Sequence, residues 1–268
     1  MVGLKYIFIF LFLSISTFEQ ILAQNPKTIG EIVLPTGFNR IKVEKNSFAD
    51  YLRGLPLKQD NKLVYLYNGT LKQNQNAQYE VVAIDVGNKD LQQCADAIMR
   101  LRAEYLFKIG KAYTISFHFT NGFPVGFNKW SQGYRIGFDN KKTIWKKTAK
   151  PDSSYQNLRK YLVTIYTYAG TKSLENELNI VENQQNITIG DIFIKGGFPG
   201  HAVIVVDMAS NAKNEKIFML AQSYMPAQEI HILKNPQSEV NTPWYPIDFG
   251  DELQTPEWIF NKNSLKRF

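Results

Sequence analysis

The order of elements along the chain predicts an α+β fold, and three observations carry that expectation. The first third reads as short strands and turns, the middle holds helices with capping signals, and the last third has four short apolar runs separated by turn residues. Strands that follow one another without intervening helices pair antiparallel, whereas a parallel sheet needs a crossover helix after each strand.

Each element has a local reason. Leu63 to Tyr67 is a β-rich run that stops at Asn68-Gly69, a hairpin turn signal, and Tyr79 to Val86 is another, ending at Gly87-Asn88. Asp90 is placed to cap a helix from Leu91 to about Ile109 that closes at Gly110. Leu91, Ile98, Leu101, Tyr105 and Ile109 recur along it at helical spacing. Residues 113 to 119 alternate as a strand with Tyr113, Ile115, Phe117 and Phe119 on one face, and 121 to 138 read as loops around a hairpin. Lys141 to Lys150, with five lysines, reads as an exposed surface segment. Asp152 or Ser153 is placed to cap a second helix from Tyr155 to about Tyr168, and Thr171 or Ser173 a third to about Leu178. Asp191 to Lys195, Ala202 to Val206, Lys216 to Gln222 and Glu229 to Leu233 are the four runs of the last third. The tail from 235 to 268 carries four prolines and two tryptophans and is expected to wrap the surface.

With 268 residues, 44% of them apolar, the chain can bury a core without staples, and a single cysteine excludes an internal disulfide framework. The net charge of +7 favours anionic partners such as cell-wall polymer. Residues 1 to 23 read as a secretory signal peptide: Lys5 is basic, Tyr6 to Ile15 is nearly all Ile, Phe and Leu, and Ala23 is a small residue at the cut. The expected product is exported to the periplasm or outside the cell. It is not lipid-anchored, for no cysteine lies near the cut, and it has no transmembrane segment after cleavage. Residues 24 to 268 then form a single domain, with a β-rich lobe at about 30–88, a core at about 90–233 and the tail from about 235.

Cys94, the lone cysteine, falls in the first turn of the expected helix. There the unpaired N–H groups and the positive dipole end favour a thiolate. It also falls on the stripe of Ile98, Leu101 and Tyr105, as a plain core residue does. Gln93 beside it is a candidate amide donor to an oxyanion. A base for the thiol comes from His118, His201 or His231. His201 is favoured because it follows Gly196-Gly197-Phe198-Pro199-Gly200 at the start of a buried strand. His118 reads as a half-buried strand residue and His231 as structural or surface. The third member of a Cys–His arrangement fixes the imidazole tautomer. Gln222, where the next strand turns polar, is preferred to Asp207, which lies roughly 20 Å along the strand from His201. Ser173, after Gly170-Thr171-Lys172, is a lower-ranked alternative nucleophile.

Cys94 at a helix start, Gly190-Asp191 before a strand, Gly200-His201-Ala202-Val203-Ile204-Val205-Val206, and a strand ending Ala221-Gln222-Ser223 together resemble the papain-like CHAP and NlpC/P60 cell-wall hydrolases. The Cys-to-His separation is longer than those domains usually show. The resemblance implies a papain-like fold in which the cysteine helix packs on a small antiparallel sheet. It implies a secreted cysteine amidase or peptidase acting on cell-wall peptide, with a peptide or peptidoglycan fragment as partner. The alternative is a non-catalytic envelope protein that keeps the scaffold to bind peptide or glycan. Over nearly the whole mature chain the sequence is also similar to an exported bacterial family of unknown function. That similarity rests on residues 85–97, Tyr168-Ala169-Gly170-Thr171, and residues 221–228.

No cofactor or metal is expected. Asp191, His201, Asp207 and Glu229 lack metal-ligand spacing, and Gly196-Gly197 precedes a strand instead of opening a phosphate-binding helix. Nothing reads as a nucleic-acid module, although the lysine cluster near Trp130, Tyr134 and Trp145 suits an anionic or sugar polymer. Asn68-Gly69-Thr70 and Asn186-Ile187-Thr188 match the glycosylation pattern.

Overall fold

The computed structural model describes residues 25–140 and 142–268; the expected signal peptide and Lys141 lie outside the described residues. β1 (Phe38–Arg40), α1 (Phe48–Arg53) and β2 (Gln78–Val81) precede the long helix α2 (Cys94–Lys108). Two ribbons follow, β3 (Ser116–His118) with β4 (Pro124–Gly126) and, after α3 (Phe127–Ser131), β5 (Tyr134–Asp139) with β6 (Lys142–Lys147). Helices α4 (Tyr155–Tyr168) and α5 (Thr171–Glu177) lead through β7 (Asn179–Ile180) into β8 (Ile192–Lys195), β9 (His201–Asn211), β10 (Lys216–Gln222) and β11 (His231–Leu233). The last segment adds β12 (Trp244–Pro246), the ribbon of β13 (Glu252–Gln254) with β14 (Ile259–Asn261), and β15 (Leu265–Arg267).

The main sheet runs β2-β11-β10-β9-β8-β15-β7, with β1 added to β9 and β12 to β10. Every pairing among these strands is antiparallel. The architecture is therefore mixed α and β around a mostly antiparallel sheet. β9 is the central strand because its run from Ala202 to Val206 is apolar on both faces, the pattern of a strand covered on both sides. On one face Ala202, Ile204 and Val206 meet Ala95, Ile98, Met99 and Leu101 of α2 and Leu158, Leu162 and Ile165 of α4. On the other, Val203, Val205, Phe218, Leu220 and Leu233 meet Tyr245, Leu253 and Phe260 of the C-terminal segment. The register of β9 against β10 shifts between Met219 and Leu220. This bulge keeps Val203, Val205 and Met208 in the second cluster although their spacing is uneven.

Several boundaries differ from the sequence expectation for identifiable reasons. α2 starts at Cys94 and not at Leu91, because the Asp90 carboxylate accepts from Ala227 N at 2.7 Å and cannot cap a helix there. Ser154, not Asp152 or Ser153, caps α4 by accepting from Asn157 N. Most of the lysine segment is β6, whose backbone pairs with β5 in register from Tyr134–Lys147 to Asp139–Lys142. Leu63 to Tyr67 forms only isolated bridges, at Tyr65–Leu71 and Leu66–Gln228. Residues 112–114 form a 3-10 turn with Tyr113 exposed, so the strand there is only Ser116–His118. The tail does more than wrap: β15 inserts between β8 and β7.

Asp207 is fully buried in the sheet and accepts from Arg40 Nε and Arg53 Nε, each at 2.7 Å, as well as from Met208 N at 2.8 Å. It thereby ties β1 and α1 to β9. Asp207→Ala leaves two poorly solvated guanidinium groups without their counter-charge and is expected to lower stability by about 3–5 kcal/mol, read from the urea midpoint. A loss below about 1 kcal/mol contradicts this role.

Candidate functional site

α2 opens with Gln93 as its N-cap and Cys94 as its first residue. Asp96 Oδ2 accepts from Gln93 N at 3.1 Å, which satisfies one of the unpaired donors of the helix start. The Gln93 amide itself donates to Asp90 Oδ1 at 3.1 Å. Asp90 therefore ties the Cys94 turn to the loop after β10. A second tie is the Ser223 hydroxyl, which lies 3.1 Å from the Gln92 carbonyl and 2.7 Å from that of Gln228. The two sequence stretches singled out above, around 85–97 and 221–228, are thus in contact.

Cys94 and His201 line the same cleft of about 560 Å³, with Asp90, Gln93, Gly200, Tyr224 and Trp258. Cys94 is 9% exposed. Burial first, and the Asp96 carboxylate second, push its thiol up to about 12, while the backbone N–H groups of Ala95, Ala202 and Cys94 pull it the other way. The Ala202 contact sets the sulfur against the residue that follows His201.

His201 Nε2 stands 2.8 Å from Gln222 Oε1. The partners of Gln222 decide which atom carries the proton. Its Nε2 donates to Glu257 Oε2 at 2.7 Å and faces His231 Nε2 at 3.2 Å. A flipped amide sets its oxygen against the Glu257 carboxylate, so Oε1 must face His201. His231 Nδ1 donates to Glu229 O at 2.9 Å, which leaves its Nε2 lone pair for Gln222. Gln222 Oε1 accepts only from an N–H, so His201 carries its proton on Nε2 and keeps Nδ1 as the basic nitrogen. Glu257 is held in turn by Lys72 at 2.7 Å and Asn74 at 3.1 Å. The imidazole is boxed by Tyr224, Trp258 and Phe260, with ring centroids 4.6, 5.5 and 5.8 Å away. Burial lowers it to about 4, against the opposing hydrogen bond that it donates to Gln222.

The structure thus brings Cys94, His201, Gln222 and Gln93 to one region, although the Gln93 amide is already engaged by Asp90. His231, expected to be structural or on the surface, is fully buried and part of the Gln222 network. His118 pairs with Glu177 at 3.2 Å and is not among the residues that line the cleft. Ser173 Oγ accepts from Gly170 N at 3.0 Å and lies 3.1 Å from Gly170 O, a helix-start cap and not a nucleophile with a base. Sequence reading missed Glu257, Trp258, Lys72 and Tyr224, because no spacing links residue 72 or 257 to residue 222. Among the described residues no cluster of three or more His, Cys, Asp or Glu side chains is arranged to hold a metal ion, and no helix is long and apolar enough to cross a membrane.

The site has a pH signature. Unfolded imidazoles charge near 6.5, whereas burial holds His201 at about 4 and His231 at about 3. As pH falls below about 6.5 the unfolded chain binds protons that these two folded groups refuse, so their contribution to stability drops with falling pH. Asp96, whose folded pKa burial raises, works in the opposite direction over part of that range. His231→Gln keeps one donor and one acceptor and removes one titrating group. Between pH 6 and 4.5 it is expected to reduce the pH slope of unfolding free energy by about 1.4 kcal/mol per pH unit, the value of one proton. Denaturant melts across that range measure it, and an unchanged slope contradicts the assignment.

A family model described as "Domain of unknown function (4846)" matches residues 30–267, and the chain belongs to that family. No curated protein and no solved structure matches it.

Proposed function

We propose that this member of the family is an exported cysteine hydrolase, an amidase or peptidase acting on cell-wall peptide through a papain-like arrangement. Cys94 is the nucleophile, His201 the base and Gln222 the residue that orients the base. The observation that carries the reading is the fully specified Gln222 amide, which leaves His201 Nδ1 free in the cleft that Cys94 lines.

The chemistry follows from that tautomer. The Cys94 thiol gives its proton to His201 Nδ1, and the sulfur attacks the substrate carbonyl carbon. The resulting oxyanion is stabilised by N–H groups of the helix start. The tetrahedral adduct collapses to a thioester as the leaving amine takes the proton back from Nδ1. Water, deprotonated by the same nitrogen, then attacks the thioester, and the departing Cys94 sulfur takes that proton back from Nδ1 as the acid is released. Thiol and imidazole do not hydrogen-bond to each other among the described residues; such contacts tighten when substrate binds. The Gln93 amide serves as a further oxyanion donor only if it exchanges Asp90 for the substrate.

A second reading has its own observation. The burial that pushes Cys94 up to about 12 favours an envelope protein that binds peptide or glycan in the cleft without cleaving it. Incubation with peptidoglycan fragments, followed by mass spectrometry of the products, separates the two. The hydrolase reading expects cleavage that Cys94→Ala abolishes and that His201→Ala lowers by about 10²–10⁴-fold. Cleavage that survives Cys94→Ala sinks it, and saturable binding without cleavage establishes the second reading. Because the base must be neutral, the acid limb of kcat/KM is expected near pH 4 and not near 6.5.

A further inference from the structure

Besides Cys94 and His201, the cleft is lined by two polar side chains that each keep one atom without a partner. Asp96 is 5% exposed and Tyr166 is 9% exposed, and both line the cleft. Asp96 Oδ1 and Tyr166 Oη are buried atoms without a hydrogen-bond partner among the described residues. They come from different elements, the start of α2 and the end of α4. A buried polar atom left unpaired costs about 1–3 kcal/mol, and these two belong to residues of one cleft wall, so a ligand atom that reaches them completes the set.

We propose that Asp96 and Tyr166 form a substrate subsite that donates two hydrogen bonds to an uncharged carbonyl oxygen of a peptide backbone. The proposal rests on the hydrolase reading only in taking the cleft as the place where substrate lies.

The donor sense follows from the surroundings of each group. Asp96 Oδ2 is occupied by the N–H of Gln93, and no cationic side chain pairs with the carboxyl group. Full burial raises its pKa well above the ordinary carboxylate range, so the acid keeps its proton, and that proton sits on the free Oδ1. Burial likewise raises the Tyr166 hydroxyl, which stays a neutral donor. An ammonium ligand needs the opposite arrangement, an ionised Asp96 that accepts. A free carboxylate would require a cation here, and Lys172 at the cleft is already paired with Glu175 at 3.1 Å.

The two senses predict opposite outcomes for one isosteric change. In Asp96→Asn the side-chain oxygen must accept from Gln93 N–H, which turns the amide N–H toward the cleft. Donation to a carbonyl survives, whereas an ammonium site is lost. The test is peptide binding to the Cys94→Ala protein, which cannot turn over, so the result is independent of hydrolysis. The probes are acetyl-trialanine amide and trialanine amide with a free amine, titrated by NMR.

The expected result is saturable binding of the capped peptide, unchanged within about twofold in Asp96→Asn. Binding should weaken about tenfold in Tyr166→Phe, about 1.4 kcal/mol, which preserves the packing of the ring. Three results overturn the proposal: no saturable binding of the capped peptide, preference for the free amine with loss in Asp96→Asn, or unaltered binding in Tyr166→Phe. The last means that only water fills the gap. Failure of the hydrolase reading shows separately, as absence of cleavage by the unaltered protein.

Discussion

A primary carboxamide offers one acceptor and two donors on opposite sides, and the rest of this site depends on how Gln222 spends them. Glu257 accepts on one side, which forbids the amide oxygen there. His231, whose Nδ1 is used by the Glu229 carbonyl, accepts the second proton. Only then does the oxygen face His201 and choose its tautomer. An amide free to flip at position 222 leaves that choice open. The chain thus fixes one proton on one ring nitrogen with five side chains drawn from β9, β10, β11, the C-terminal ribbon and the segment before β2.

Two effects compete over the thiol, and their sizes decide which wins. A helix start contributes about 0.3–1 kcal/mol to a charge placed on it, less than one pKa unit. Desolvation of a fully buried group moves a pKa by up to 3–5 units. Cys94 at the first position of α2 is therefore held up at about 12 in spite of its favourable address. The aromatic box around His201 acts in the same sense and lowers the imidazole to about 4. Both groups rest neutral near pH 7, each held there by its own desolvation.

Much of the local structure was legible. α4 follows from its cap and its 3.6-residue pattern, and the antiparallel strands from their apolar runs and turns, because each is fixed by residues near in sequence. Cys94, His201 and Gln222 were legible as candidates because lone reactive types at element ends are few. The start of α2 was not, because Asp90 is claimed by Ala227, more than a hundred residues later. Glu257 and His231 escaped for the same reason. Their roles exist only after the sheet pairs Gln222 with His231 and the C-terminal ribbon folds over that face.

The Lys72–Glu257 ion pair joins a residue that precedes β2 to one in the C-terminal ribbon, and Gln222 leans on it. The imidazole is therefore oriented last, when these sequence-distant segments have met. A chain that holds His201 and Gln222 but lacks residue 257 keeps only the His231 contact to orient the Gln222 amide. The proton position on His201 is in this way made contingent on complete assembly, because the side chains that set it meet only in the finished fold.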